Sequence, residues 1–312
     1  MIDLVLSVIQ AIMMIALAPL FAGILNKAKA RMQHRAGSSI FQPYRDVAKL
    51  MRKSENISES SSWLFRFIPY VCFGSMLLLS LMTPFFSAYV AAPYGDLISM
   101  VYIFTLYRFM MVLGGLEGGS VFGGMGGSRE MMMSVLIEPS LLLSLMALAG
   151  LTGGSTMIGD IPRELIGMGA IVLTPALVLA ASSFFITLLA ENSRVPFDNP
   201  ATHLELTMVH EGMLIEYSGR GLGLMDLSSM MRLMIFSSMF CTMFFPWGIA
   251  LTASPSAVLI GLASILIKVL LVTLAIALIE SYLAKYRLFR LPNLLTASFA
   301  LSLLAMISLY IL

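Results

Sequence analysis

Apolar residues in this chain come in long unbroken runs, near residues 3–25, 67–90, 97–115, 131–152, 168–190, 231–250, 256–282 and 293–312, with the polar residues gathered between them. Most of these runs reach about 20 residues, the length of helix that crosses a hydrocarbon core of roughly 30 Å. They lack the period-two alternation of a barrel strand, and only helices or closed barrels can satisfy their backbone inside lipid. The pattern predicts an all-α integral membrane protein of about eight transmembrane helices, forming a single membrane domain over residues 1–312. The first run has no basic residue before it and is too long for a secretory leader, so it reads as the first span. Pro84, Pro139 and Pro175 are expected to kink the helices that carry them.

Composition agrees with the pattern: 59% of residues are hydrophobic and 12% charged, with a mean hydropathy of +0.92. Soluble domains carry roughly 25% charged residues. The 26 methionines read as packing residues. The two cysteines, Cys72 and Cys241, lie in separate apolar runs. An iron–sulfur cluster takes about four thiolates and a nickel site several ligands, so no cofactor is expected on this chain and any redox metal belongs to partner chains.

Charge supplies an orientation. Of the 19 Lys and Arg residues, nine fall between Asn26 and Arg66, and Arg129, Arg194, Arg220, Arg232, Lys285, Arg287 and Arg290 emerge on the same side. The opposite loops hold Arg163, while Arg108 and Lys268 lie within apolar runs. The positive-inside rule puts the basic face in the cytoplasm and both termini outside. Three segments of that face are long enough to do more than connect helices: residues 26–66, 114–130 and 191–230. In the first, Arg31, Arg35, Arg45 and Lys49 suit either lipid headgroups or the acidic surface of a soluble partner, with Asp46 among them as a further interface candidate. The glycine-rich run from Gly114 to Gly127 lacks the G-K-[ST] ending of a phosphate loop and reads as irregular backbone that lets neighbours pack closely. Lys268 and Glu280, twelve residues apart on one run, lie roughly 18 Å apart along a helix and cannot pair.

The chemistry concentrates in acids. Ala190 to Arg220 contains Glu191, Asp198, Glu205, Glu211 and Glu216, with Arg194, Arg220, His203 and His210 among them. Steps of six and five residues do not put the last three glutamates on one helical face. His203 and His210 can share a face, but His210 and Glu211 do not open an H-E-x-x-H motif, so zinc is not expected. Glu138 falls inside an apolar run, where an acid costs roughly 2 to 3 kcal/mol or more unless it is protonated, paired or wetted. It is either a carboxyl bonded to a neighbouring helix or a proton relay.

The segment Ala190–Asp198 reads A-E-x-x-R-x-P-F-D and leads through a Glu-rich stretch to E-Y-S-G at Glu216–Gly219. RMQHRAG followed by FQPYRDVAKLMRKSE comes after the first run, and Arg129 precedes Glu138 by nine residues. In these motifs the chain resembles the family that includes mitochondrial subunit 1 of respiratory complex I, its bacterial counterpart, and their relatives in energy-converting nickel–iron hydrogenases. The resemblance covers essentially the whole chain. It implies a subunit without a redox centre of its own that anchors the soluble arm of a redox-driven ion pump. Glu138, Glu191, Glu205, Glu211 and Glu216 would belong to its proton path. Arg129, Arg194, Asp198, His203, His210 and Arg220 would shape the interface where redox chemistry is felt.

Departures from the complex I pattern point to the hydrogenase branch. The stretch from Gly37 to Gln42 is about six residues short, Ala201 and His203 stand at two acidic positions, and about three residues are added around Val209 to Leu214. The wording DNPATHLELTMVHE resembles the membrane subunit of formate hydrogenlyase. That branch implies hydrogenase-like large and small subunits carrying a nickel–iron site and iron–sulfur clusters, an iron–sulfur subunit and antiporter-like membrane subunits. It also implies a prokaryotic cytoplasmic membrane and no nucleic-acid partner. Two alternatives stand beside it: a quinone-site subunit of a complex I-like enzyme, and a free-standing ion transporter or channel. Cysteines placed in segments 26–66 and 191–230 are expected to resist an impermeant thiol reagent in intact cells; ready labelling from outside would overturn the orientation.

Overall fold

A computed structural model describes residues 2–57, 61–88, 95–168, 174–198, 208–252 and 254–311. The expected all-α class is found. In chain order the helices are α1 (Ile2–Met32), α2 (Gln42–Arg52), α3 (Trp63–Met82), α4 (Leu97–Glu117), α5 (Val121–Leu151), α6 (Asp160–Gly167), α7 (Pro175–Glu191), α8 (His210–Leu214), α9 (Gly219–Met239), α10 (Pro255–Tyr282) and α11 (Leu291–Ile311). A π turn, Phe240–Phe244, prolongs α9, and a 3₁₀ turn, Leu288–Arg290, leads into α11. Seven of these helices are long and apolar enough to cross a membrane, and α7 is a shorter apolar helix of 17 residues. The chain is thus a multi-pass membrane protein.

Short polar side chains start the helices. Asp96 accepts from the Ile98 and Ser99 amides at 3.1 Å, Ser120 from Gly123 at 3.0 Å and Thr174 from Leu177 at 3.3 Å. Each satisfies amides that a helix start would otherwise leave bare, which matters most near lipid. Of the three prolines expected to kink helices, Pro139 lies inside α5, but Pro84 follows the end of α3 and Pro175 is the first residue of α7. At a first helical position proline has no intrahelical bond to break.

Helix reaches into two of the expected loops. The glycine-rich run is not irregular: α4 ends at Glu117 and α5 begins at Val121, with three residues between them. Its glycines instead let helices meet. A Cβ on Gly123 would strike the Gly115 carbonyl, and one on Gly126 would come within 2.6 Å of the Val209 carbonyl on the approach to α8. Likewise α9 starts at Gly219, so Arg232, expected near the basic face, sits well inside a helix and is buried.

Helix ends gather at two opposite faces. On the basic face Ser218 Oγ bonds both the amide and the carbonyl of Asn56 at 2.8 Å, Glu117 accepts from the Ser62 amide at 3.1 Å, and the Tyr286 amide donates to the Pro196 carbonyl at 3.0 Å. On the other face the Ala88 amide reaches the Ala250 carbonyl at 3.2 Å, and the Leu97 amide the Thr156 carbonyl at 3.0 Å. Gln10, in the first half of α1, accepts from Phe85 at 2.8 Å and so belongs to that second face. Inside, α5 packs on α4, α7, α8 and α11, while α9 packs on α1, α2 and α3.

Candidate functional site

The centre of the molecule holds Arg108, an arginine in the middle of α4 that is 3% exposed. Its guanidinium meets three carboxylates from two other helices. Nη1 donates to Glu138 on α5 at 2.9 Å, Nη2 donates to Glu191 at the end of α7, and Nε lies 3.5 Å from Glu130, also on α5. Guanidinium suits this task because its planar fork serves several acceptors at once and stays charged. One positive charge facing three carboxylates leaves two uncompensated negative charges if all are ionised. In a poorly screened interior that excess makes the cluster sensitive to any change of charge nearby.

The three carboxylates differ in access. Glu130 and Glu191 are buried, whereas the Glu138 side chain is 34% exposed. Glu138 opens onto a cavity of about 500 Å³ between α4 and α5, lined otherwise mainly by apolar groups such as Val101, Tyr102, Val135 and Leu142. A carboxylate that is bonded on one side and open on the other can pass a proton between two environments.

A second buried ion cluster lies under the basic face. Glu280 on α10 takes Lys29 of α1 at 3.0 Å and Arg194 at 3.3 Å. Asp198 bonds Lys285 Nζ at 2.6 Å through one oxygen and the Val209 and His210 amides at 3.2 and 3.4 Å through the other. Together these clamps fix the loop after α7 against α8 and α10. Lys268 and Glu280 are apart as expected: the Lys268 ammonium donates to the Phe245 carbonyl at 2.6 Å and to that of Trp247.

The candidate residues separate into three sets. Glu138 and Glu191 meet at Arg108. Arg194, Asp198, His210 and Glu211 line a polar cavity of about 60 Å³ with Asn192, Ser193, Ser229 and Arg232. Exposed on or near the basic face are Arg31, Arg35, Arg45, Asp46, Lys49 and Arg220. Glu216 is half-buried against Gly118. Arg129 does not serve Glu138; it donates to the Met208 carbonyl at 2.8 Å. His203 and Glu205 lie outside the described residues.

Arg108, Glu130 and Arg232 join the site without having been candidates on sequence grounds. Arg108 carries a signal, since an ionisable residue inside an apolar run is functional by default. Glu130 and Arg232 carry little, because Glu130 falls in a stretch that reads as a loop and Arg232 at the very edge of an apolar run, next to the basic face.

His210 is buried, and among the described residues neither ring nitrogen has a hydrogen-bond partner. Burial, then the charges of Arg232 and Arg194, hold its imidazole well below the usual 6.5. It is therefore neutral at physiological pH.

A match to the NADH dehydrogenase family runs over residues 4–311. The chain is 37% identical to hydrogenase-4 component C of Escherichia coli K12 over 304 residues, 96% of this chain and 94% of that one. It is 36% identical to formate hydrogenlyase subunit 4 of the same organism over 302 residues, 96% of this chain and 97% of the relative. Identity to an NADH-quinone oxidoreductase subunit of Rubrobacter xylanophilus is 30% over 230 residues, covering 70% and 67% of the two chains. In fold it superposes on a chain of the archaeal membrane-bound sulfane sulfur reductase with a TM-score of 0.84 at 22% identity, over 99% of this chain and 100% of that one.

The buried neutral histidine gives a pH dependence with a definite sign. The unfolded chain protonates His210 near 6.5 while the folded chain does not, so the folded state loses stability as pH falls below that value. Melting temperatures of the purified protein should drop between about pH 7 and pH 5.5, and His210→Gln should flatten that drop. An unchanged slope in the variant would mean that His210 is protonated in the folded protein.

Proposed function

The chain belongs to the NADH dehydrogenase family, and from that membership we propose that it is the membrane subunit of an energy-converting hydrogenase of the formate hydrogenlyase type. In this reading it anchors the soluble hydrogenase arm and couples electron transfer to the movement of protons or sodium ions. Similarity along 96% of the chain to the hydrogenase-4 and formate hydrogenlyase subunits, against 70% for the quinone-reductase subunit, favours the hydrogenase branch.

The observation that carries the reading is the Arg108 cluster: three carboxylates around one cation, one of them opening onto a cavity at membrane depth. An arrangement of this kind responds to charge. A change in charge on a docked redox partner alters the field at the loop after α7, where Glu191 ends the helix and where Asp198 and Arg194 fix the backbone. Because the cluster holds fewer positive than negative charges, a modest field changes how many protons it keeps. Proton release through Glu138 toward a neighbouring membrane subunit is the output.

In this reading eight helices cross the membrane, with α7 as the shortest span. The basic face is cytoplasmic in a prokaryotic inner membrane, and α2, with Arg45, Lys49 and Arg52 exposed, presents charge to the soluble arm. The nickel–iron site and iron–sulfur clusters belong to the hydrogenase-like large and small subunits and the iron–sulfur subunit, and antiporter-like subunits lie alongside in the membrane. This chain supplies no redox centre.

Glu138→Gln and Glu191→Gln keep the shape and part of the hydrogen bonding of the carboxyls but cannot titrate. In inverted vesicles supplied with the electron donor, each variant should assemble at wild-type levels yet move fewer ions per turnover, by on the order of tenfold. Wild-type transport and turnover in both assembled variants would reduce the two glutamates to packing residues.

A further inference from the structure

Arg232 stands apart from the other buried charges. It is 2% exposed, and it makes no ion pair among the described residues. Its guanidinium rests over the Tyr107 ring at 5.1 Å, and its Nε has no hydrogen-bond partner. Thirteen residues into α9, it lies roughly 20 Å along the helix from the basic face. There it lines the polar cavity of about 60 Å³ beneath the loop after α7. That volume holds several waters, since one needs about 10–15 Å³. Among the described residues, Asn192 Oδ1, Ser193 Oγ and both His210 nitrogens are buried without protein partners around it, as the polar lining of a hydrated cavity would be.

The charges of this cavity can be accounted for one by one. Arg194 is paired with Glu280, and Asp198 with Lys285 and two amides. His210 is neutral, and Glu211 is half-buried. Among the described residues, Arg232 is the buried cation of this cavity left without a carboxylate at contact distance. It also stands on the way inward, because Asn192, which lines the same cavity, directly follows Glu191, which bonds Arg108.

We propose that Arg232 is a selectivity-determining residue: its fixed charge bars hydronium and alkali cations from passing through the hydrated cavity into the Glu130–Arg108 cluster. The proposal rests on the reading of that cluster as a proton-handling site. Without a barrier, a polar cavity leading to acids at membrane depth is a leak. Positive charge in a narrow wet passage is a known means of excluding protons and cations. A second unit charge brought to about 5 Å of the guanidinium, at an effective dielectric constant near 20, is disfavoured on the order of a hundredfold.

The test uses the intact complex in proteoliposomes with an entrapped pH dye and no electron donor. A potassium potential set with valinomycin drives passive proton entry. Arg232→Gln should raise that leak by on the order of tenfold or more, and Arg232→Lys, which keeps the charge, should stay tight. Ser229→Asp leaves Arg232 in place but sets a cancelling carboxylate in the same cavity, and it should leak as well. If Arg232→Gln does not assemble, Ser229→Asp decides. Assembled variants as tight as the wild type would overturn the proposal. Loss of donor-driven pumping in the wild type would instead overturn the coupling reading, so the two failures are distinguishable.

Discussion

A guanidinium held among carboxylates inside a membrane protein is the interaction on which the rest of this structure depends. Charged groups at membrane depth are costly, and a buried ion pair survives only when its partners are in place. Arg108 obtains its partners from α5 and α7, so both helices must lie against α4 at a fixed height. Removing Arg108, the cation shared by all three carboxylates, would leave buried charge without its partner, a loss that typically costs about 3–5 kcal/mol. The cluster therefore fixes the packing around it while remaining sensitive to charge, and that combination is what a coupling element needs.

The surrounding architecture serves this constraint. Small residues at Gly115, Gly123 and Gly126 bring α4, α5 and the approach to α8 together, placing Glu130 and Glu138 beside α4. Asp198 ties the loop after α7 to α8 and to Lys285, and Glu280 ties it to α1 through Lys29. Displacement of segment 192–198 would thus be passed to the end of α7, where Glu191 sits. Stiff bracing of this kind transmits displacement, whereas a slack loop would absorb it.

The helical class, most of the spans and the two-faced distribution of charge were legible in the sequence, because apolar runs of about 20 residues have few other solutions in lipid. Glu138 and Glu191 were legible as well, the first as an acid in an apolar run and the second through the A-E-x-x-R-x-P-F-D motif. Their shared partner was not, since Arg108 is 30 and 83 residues away from them in the chain and periodicity says nothing about contacts between helices. Glu130 and Arg232 were hidden by their own helices. The first turns of α5 are rich in glycine, and α9 is the most enclosed of the long helices, so neither stretch needs the hydropathy that marks a lipid-facing span. Hydropathy detects exposure to lipid; it is weak wherever protein takes the place of lipid.

The central claim is that coupling runs through the charge balance at Arg108. It is tested most directly by Glu130→Gln combined with Glu191→Gln, which removes the two excess negative charges and leaves Arg108 paired with Glu138, so that no buried ion loses its last partner. The measurement is the number of ions moved per electron pair in inverted vesicles, with assembly followed by co-purification of the soluble arm. The account predicts a complex that assembles and turns over while the ratio collapses toward zero. An assembled double variant with the wild-type ratio would contradict it.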